Sequence, residues 1–474
     1  MYRIVGILLS IMCFVPVFSQ SSWTLDECIN YAHKNNLQIK QYELIVEKSQ
    51  VDQKQSHYDF LPDLNFYGSH GYNWGKSIDP FTNTFATDRV RSNNFYLNGD
   101  WVLFQGLRKQ NAMQATKHGV EVRQKQLEAF QDNISIQITN SYLRILYNTE
   151  LLKVAEEEVL LSQVQLERVE KLVDAGATPK GEMYDIKAQK AQEELDVVNL
   201  TNQVDLSYLG MIQLLQLSGD SAQQFRIFHP SVDDVEVVEP NVAYQDVYST
   251  ALETRPEIAG AKENILFMEK SADMTKSAMI PSLSISGSFG SGYSGLNVEP
   301  VGEAINGEPQ LVGFTSSGDD VFIPQTIQET QTKGFGDQVE DNLNERVSLN
   351  LNIPIFNRLT NKTNYQKAKL DIIYAEHDLQ IAKDQLRTDV QNAYADLVAA
   401  HRKFVASEEA VNAFEESFKY AEKRYEQNAI NGVDYNETKT RLMVARAELL
   451  RAKYEYIFNS KIVDFYRGVP ITLQ

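Results

Sequence analysis

The sequence predicts a membrane α+β fold with two long antiparallel helical hairpins, related by an internal duplication, and four amphipathic strands per chain. Three observations predict this fold. Apolar residues recur every seven positions over very long segments, which is the pattern of a coiled-coil seam. The same pattern returns 252 residues later, so that Ile138 corresponds to Val390. Between the helical segments, the apolar period shortens to the two-residue alternation of half-buried strands.

The N-terminal residues are typical of a secretory signal peptide, which is predicted over residues 1–19. Met1-Tyr2-Arg3 is a short positive start, and the apolar run that follows it is too short to span a membrane. Cys28 is then the only cysteine of the mature chain, so no intrachain disulfide is expected.

Repeat 1 is predicted over residues 20–217. Its first helix ends before Leu61-Pro62, because proline cannot continue a helix. Beyond that proline, aromatic and aliphatic residues alternate with polar ones in two strands, and the helical hairpin follows. The predicted elements are a helix over 24–60, strands over 63–75 and 92–104, and helices over 107–174 and 179–217.

The hairpin of repeat 1 has a long outgoing helix, a turn at Ala175-Gly176-Ala177 and a shorter return helix. At about 1.5 Å per residue, the outgoing helix would be roughly 100 Å long. Its seam residues are Ile138, Ile145, Leu152, Val159, Leu166 and Val173. The return helix keeps the same period at Met183, Val197, Val204 and Met211. The two limbs are therefore expected to pack against each other.

Repeat 2 is predicted over residues 244–474, after an inter-repeat equatorial segment over 218–243. Pro281 and Pro354 stand at its changes between helix and strand. The stretch from 295 to 344, rich in Gly, Asp, Glu and Thr, is expected to be an external loop. The predicted elements are a helix over 244–279, strands over 282–294 and 345–356, and helices over 359–427 and 432–467.

The four strands each have one apolar and one polar face, which matches the strands of a transmembrane barrel. A soluble sheet packed on the helices is the alternative. We favour the membrane interpretation, because each strand pair continues into a helix too long to cover the apolar face. A four-stranded sheet cannot close, and open edges are not tolerated in lipid. Three chains would supply 12 strands, enough for a barrel with a pore.

Over nearly its whole mature length, the chain resembles the TolC family of outer-membrane efflux proteins. The duplication carries the resemblance, together with Leu61-Pro62, Ile280-Pro281, Ile353-Pro354-Ile355-Phe356 and the turn Arg424-Tyr425-Glu426-Gln427-Asn428-Ala429. The resemblance implies a TolC-like homotrimer, with a 12-stranded β-barrel in the cell outer membrane and helical hairpins that form a periplasmic tunnel. It also implies docking to an inner-membrane pump through a periplasmic adaptor protein. The chain departs from the family pattern at Asn428, where it lacks a glycine, and at Ile430, where some members carry an arginine.

Neither the charge nor the motifs point to an enzyme or to a nucleic-acid partner. The formal net charge is −19, which disfavours binding to nucleic acid. Gly290-Ser291-Gly292-Tyr293-Ser294-Gly295 matches a dinucleotide-binding pattern in letters, but it lies in an alternating strand and leads into no helix. The histidines show no metal-ligand spacing. We therefore predict no catalytic residues, no cofactor and no metal site.

Two functions from different classes remain. The first is a passive channel-tunnel in contact with outer-membrane lipid, through which the pump exports drugs, small molecules or proteins. The second is a non-conducting structural or adhesive coiled-coil protein that spans the periplasm. Polar residues alternate along all four strands, which favours the channel, because a filled core would be apolar on that face as well. Proton-driven and ATP-driven pumps are both compatible with the sequence.

The hairpin tips are the predicted functional site, and their turn residues are Gly176, Ala177, Asn428 and Ala429. Glu182 and Asp185 correspond to Asp434 and Glu437 in repeat 2, and each pair lies on one helix face. These acids could simply complement the positive N-terminal dipole of their helices. Alternatively, they line a periplasmic aperture. The resemblance favours the aperture, because family members carry aspartates at the positions of Asp434 and Glu437.

Overall fold

The structure is a computed structural model that describes residues 22–79, 81–86, 89–230, 237–427 and 429–472. The predicted signal peptide and Asn428 lie outside the described residues, as does part of the inter-repeat segment. The chain divides into two compact units. Unit 1 comprises the described residues up to Gln50, His118–Leu266 and Ile373–Gln474, and unit 2 comprises Val51–Lys117 and Phe267–Ile372.

The helices preserve the duplication in their lengths. They are α1 (Leu25–Asn35), α2 (Leu37–Tyr58), α3 (Arg108–Asp174), α4 (Lys180–Leu214), α5 (Asp220–Gln224), α6 (Tyr244–Thr254), α7 (Pro256–Lys276), α8 (Phe335–Asp341), α9 (Thr360–Glu426) and α10 (Gly432–Tyr466). The outgoing helices α3 and α9 have 67 residues each, and the return helices α4 and α10 have 35 each. Among the helices of the described ranges, none combines the length and the apolar character needed to cross a membrane.

The two helices predicted over 24–60 and 244–279 are each broken, which corrects the prediction. Asn36 has an extended backbone after α1, and its side-chain oxygen accepts hydrogen bonds from the N–H groups of Gln38 and Ile39 at 2.8 and 3.3 Å. It therefore caps the start of α2. In repeat 2, Arg255 is extended between α6 and α7, because Pro256 follows it. A single turn of 3₁₀ helix, Ser277–Met279, ends α7.

Unit 2 contains one four-stranded antiparallel sheet in the order β1-β4-β5-β10, together with three two-stranded ribbons. The strands are β1 (Asp63–Asn73), β2 (Ser77–Ile78), β3 (Phe85–Ala86), β4 (Val90–Gln105), β5 (Ser282–Ser294), β6 (Val298–Asn306), β7 (Gln310–Phe314), β8 (Asp320–Ile323), β9 (Thr326–Thr332) and β10 (Asn344–Asn352). The pairing of β4 with β5, from Ser92 opposite Ser294 to Gln105 opposite Ser282, joins the two repeats.

The sheet leaves its apolar side chains exposed in the single chain. Phe66 on β1 is 72% exposed, and Val347 on β10 is 78% exposed. β1 and β10 each pair with one neighbour within the described residues, so both edges of the sheet are open. The sheet therefore needs both an apolar environment and further strands.

One strand boundary in repeat 2 requires correction. The strand predicted over 345–356 ends at Asn352, because Pro354 has no N–H to give to a sheet. The stretch 295–344 contains α8 and two ribbons, in which β6 pairs with β9 and β7 pairs with β8. Gly318, with φ 89°, lies in the turn between β7 and β8. The external position of this stretch stays a prediction.

The heptad seams form the core of unit 1. Ile138 and Ile145 of α3 and Val390 of α9 are fully buried, and small or polar residues such as Ala155 are buried beside the seam. The inter-repeat segment packs on this core. It contains α5 and a single bridge between Trp23 and Ile227. Burial of these apolar surfaces, at roughly 25 cal/mol per Å², is the main force that holds the hairpins together.

Left-handed residues mark the equivalent strand-to-helix changes of the two repeats. Gly106 and Leu107 have φ of 58° and 65°, and Arg358 and Leu359 have φ of 55° and 62°. A Cβ atom on Gly106 would lie 2.7 Å from the Cβ of Ile280. Gly106 is therefore required by both its backbone angle and the close approach of repeat 2.

We expect Gly106→Ala to destabilise the protein by at least about 1–3 kcal/mol, because alanine is strained at this φ and would overlap Ile280. The measurement is thermal unfolding of the purified protein in detergent, followed by circular dichroism. Gly71→Ala is the matched control, because an added Cβ at Gly71 meets no atom within 4 Å. Equal melting temperatures for the two variants would contradict the assignment.

Candidate functional site at the hairpin tips

The first tip is a tight turn between α3 and α4. The N–H of Gly176 donates to the carbonyl of Val173 at 2.9 Å, and the N–H of Ala177 donates to that of Leu172 at 2.8 Å. Gly176 has φ 72°, and an added Cβ atom would meet no atom within 4 Å. The positive φ, and not a lack of space, therefore favours glycine at this position. The pattern is a C-terminal Schellman cap, which satisfies the last carbonyl groups of α3.

The second tip, between α9 and α10, repeats one of these two hydrogen bonds. The N–H of Ala429 donates to the carbonyl of Arg424 at 2.8 Å, as Ala177 does at the first tip. Asn428 lies outside the described residues. The side-chain oxygen of Asn431 accepts from the N–H of Asp434 at 2.8 Å and so caps α10.

A tyrosine–carboxylate hydrogen bond joins the two hairpins close to their tips. The Tyr425 hydroxyl near the end of α9 donates to Oε1 of Glu182 in the first turn of α4 at 2.8 Å. The Tyr425 ring stacks on Tyr435 with 4.8 Å between centroids. Arg168 of α3 lies 3.7 Å from the carboxylate of Glu426. Residues from all four long helices therefore meet here.

Burial, and then the neighbouring Glu182 carboxylate, raise the pKa of Tyr425 to about 12. The hydroxyl thus keeps its proton across the physiological range and remains the donor to Glu182. This pair could not be predicted from the sequence, because Tyr425 continues the seven-residue apolar spacing of α9 and Glu182 is 243 residues away in the chain.

The four predicted acids have different surroundings. Glu182 is half-buried against the second hairpin, whereas Asp185 and Asp434 are exposed in the single chain. Glu437 is exposed and forms an ion pair with Arg441, one turn further along α10, at 2.6 Å. Asp434 and Glu182 lie in the first turns of their helices, where a carboxylate also interacts favourably with the helix dipole.

The predicted junction prolines Pro62, Pro281 and Pro354 lie in unit 2, next to the sheet and not at the tips. Pro62 and Pro281 immediately precede β1 and β5, and Pro354 follows β10. Within the part of the chain that the structure describes, no group of three or more His, Cys, Asp or Glu side chains is arranged to hold a metal ion.

Comparison with known proteins gives a family match over most of the chain. The family model described as "Outer membrane efflux protein" matches residues 28–216 and 247–461. A search of characterised protein sequences finds no match.

Several solved structures share the fold at low sequence identity. CusC superposes with a TM-score of 0.73 at 16% identity, covering 94% of this chain and 92% of its own. The outer membrane protein VceC of Vibrio cholerae gives 0.71 at 14% identity, covering 94% of each chain. The Campylobacter jejuni outer membrane channel CmeC gives 0.68 at 15% identity, covering 95% of this chain and 87% of its own. The likeness therefore extends over both units.

We expect Tyr425→Phe to loosen the tips, because it removes a hydrogen bond to a charged acceptor. Glu182 is only half-buried, so we expect a loss of about 1 kcal/mol, or roughly fivefold faster hydrogen exchange of the amides around the two turns. Mass spectrometry of exchanged peptides measures this rate. Tyr420→Phe is the control, because Tyr420 is 65% exposed on the same helix. Equal exchange in both variants would show that the bond does not hold the tips.

Proposed function

Because the chain belongs to the outer membrane efflux protein family, we propose that it is the passive exit duct of a multi-part export machine. Family membership confirms the resemblance, the efflux role and the outer-membrane location predicted from the sequence. The family is one of transport proteins. The sheet β1-β4-β5-β10, with its exposed apolar side chains and its two open edges, is the observation that carries the proposal.

The duct is a homotrimer. An open strand edge leaves unpaired N–H and C=O groups, and each of these costs several kcal/mol in lipid. Joining β10 of one chain to β1 of the next removes every edge when the ring closes. Two chains would give a barrel filled by its own side chains, whereas three give 12 strands and room for a pore.

The two faces of the sheet suit this arrangement. Leu349 and Leu351 of β10 are largely exposed in the single chain, and in the barrel they would contact outer-membrane lipid. Ser284, Ser286 and Ser288 of β5 alternate with apolar residues and would line a water-filled lumen. A non-conducting coiled-coil protein needs no such polar face, which is why we favour the duct.

The long hairpins extend the duct into the periplasm, and their tips are its entrance. The hydrogen bond between Tyr425 and Glu182 holds the second hairpin against the first and so limits the opening. A periplasmic adaptor protein, bound to an inner-membrane pump, would engage the tips and deliver the exported molecules. The chain itself supplies no energy for export.

The acids near the tips form the aperture of this entrance. A trimer would gather three copies each of Glu182, Asp185, Asp434 and Glu437 around one axis. Their combined negative potential would concentrate cations and bind multivalent cations strongly. The favourable interaction of Asp434 with the helix dipole is compatible with this role, because it involves the same carboxylate.

The proposal is tested by reconstitution. We expect the purified protein to have the mass of a trimer in detergent, measured by light scattering, and to form ion-conducting channels in planar lipid bilayers. A folded trimer that inserts and never conducts, even when its tips are loosened by Tyr425→Phe, would favour the structural coiled-coil function. A lipid-inserted monomer would exclude both the barrel and the duct.

We expect the double variant Asp434→Ala and Glu437→Ala to conduct with reduced cation selectivity and with weaker block by multivalent cations, because half of the aperture carboxylates are gone. Reversal potentials in a salt gradient measure the selectivity. Glu408→Ala with Glu409→Ala is the control, because it removes two exposed carboxylates from α9 away from the tips. If both double variants behave like the native channel, the aperture lies elsewhere.

A further inference from the structure

A buried cluster of charges joins α10 to the first hairpin. The ammonium group of Lys439 donates hydrogen bonds to the carbonyl of Glu158 at 3.0 Å, to Oγ of Ser162 at 2.7 Å and to Oε1 of Glu193 at 2.9 Å. The side chains of Lys439, Glu158 and Glu193 are only 4–5% exposed. We call Lys439, Glu158, Glu193 and Ser162 the buried cluster. It connects α3, α4 and α10, and therefore connects the two repeats.

The buried cluster carries an uncompensated negative charge when all its groups are ionised. Two carboxylates face one ammonium, and the three N–H donors of that ammonium are all used. None of them is given to the carboxylate of Glu158, whose Oε2 lies 3.2 Å from Nζ outside hydrogen-bond geometry. Oε2 of Glu193 also has no hydrogen-bond partner among the described residues. Burying an unbalanced charge is costly.

One proton would remove this imbalance, and Glu158 is the group placed to take it. Desolvation raises the pKa of Glu158, and the attraction of Lys439 opposes that rise. The geometry supports this choice, because Lys439 donates to Oε1 of Glu193 and gives no hydrogen bond to the carboxylate of Glu158.

The charged groups around Glu158 come from two helices, α4 and α10. Glu193 faces it from α4, and Lys439 and Arg446 face it from α10. Arg446 is held by Glu415 of α9 at 2.8 Å, so its charge is already shared. Tyr435 of α10 is also nearby, but burial raises its pKa to about 12 and it stays neutral. These groups leave Glu158 as the site of proton uptake.

We propose that the buried cluster is a proton-binding latch, which holds α10 of the second hairpin on α3 and α4 of the first and which tightens when the surrounding medium becomes acidic. The latch lies on α10 just beyond the aperture acids Asp434 and Glu437. Its effect on the duct rests on the function proposed above, because only a duct has an entrance to close. The latch itself depends only on the contacts within one chain.

The direction of the pH effect follows because proton binding at Glu158 is thermodynamically coupled to the separation of α10 from the first hairpin. When α10 leaves the first hairpin, Glu158 becomes hydrated and its pKa returns toward the ordinary value of about 4.5. The latched arrangement therefore binds the proton more tightly than the released one. Lowering the pH through the latched pKa favours the latch, by at most tenfold per pH unit for one proton, and the gain levels off below about pH 4.5. Raising the pH favours release.

The experiment measures the separation of the two hairpins directly. Nitroxide labels are attached to the double variant Asp174→Cys and Val433→Cys. Pulsed electron paramagnetic resonance then reports the distance between the end of α3 and the start of α10. Labelled chains are diluted with unlabelled ones, so that distances within one chain dominate. Cys28 is fully buried, and burial raises its thiol pKa to about 12, so it is not labelled. We expect the short-distance population to grow between pH 8 and pH 5.

Three variants test whether protonation of Glu158 causes the pH-dependent change in the distance between the hairpins. Glu158→Gln mimics the protonated group, and we expect it to stay latched and to lose the pH response. Lys439→Met leaves two carboxylates without their cation, and we expect release at pH 8, recovery at pH 5 and a steeper response. Glu194→Gln removes an exposed neighbouring charge on α4 and should behave like the native chain. If Lys439→Met fails to fold, comparing the pH response of Glu158→Gln with that of Glu194→Gln still tests the latch.

A native pH response in Glu158→Gln, or hairpins that separate on acidification, would overturn the latch. Conductance recorded in parallel separates this result from the fate of the duct. Spin-label tightening in a protein that never conducts would support the latch and refute the duct. Channel closure at low pH without any change in the spin-label distances would support the duct and refute the latch.

Discussion

The requirement that every backbone N–H and C=O group in lipid be hydrogen-bonded governs this structure. One repeat supplies only two membrane strands, which is too few even for a stable independent sheet. Pairing of β4 with β5 combines the two repeats into four strands, and the edges at β1 and β10 still remain open. Duplication removes open edges that a single repeat would leave, and the proposed trimerisation would remove the two edges that the sheet of one chain still leaves.

The same duplication produces differences where the repeats contact each other. The two tips share an equivalent capping hydrogen bond. Tyr425 donates to Glu182, whereas the residues at the corresponding positions, Val173 and Asp434, cannot form this bond. Likewise Lys439 corresponds to Lys187, which is exposed and pairs with Glu170. Equivalent backbones thus carry different contacts. The second hairpin is fixed to the first by residues that have no equivalent role in the other repeat.

Periodic features could be predicted from the sequence, and contacts between distant polar residues could not. The seam at Ile138 and Val390 is visible because apolar residues recur at a constant spacing. The starts of β1 and β5 are visible because Pro62 and Pro281 precede them. The break at Asn36 depends on one side chain capping α2, a local signal that the surrounding helical pattern concealed. The ribbons between 298 and 332 lie in a stretch rich in Gly, Asp, Glu and Thr, and the short apolar strands β7 and β8 were not distinguished from the surrounding loop composition. The burial of Lys439 depends on helices brought together by folding, and its own neighbours in sequence are polar.

The free-energy cost of burying the charge of Lys439 indicates that its role is not simply to hold the two hairpins together. Apolar residues of similar size generally stabilise a helix interface at least as well as a buried ion pair does, and a pair with excess charge is less favourable still. A permanent join between the hairpins would therefore need only the seam residues that already pack along α3, α4 and α10. A charged cluster differs from such a seam in one property, which is that its contribution changes with protonation. Close to the tips, it makes the join between the hairpins conditional where the proposed entrance opens, while the apolar core of unit 1 keeps the rest of the helices together.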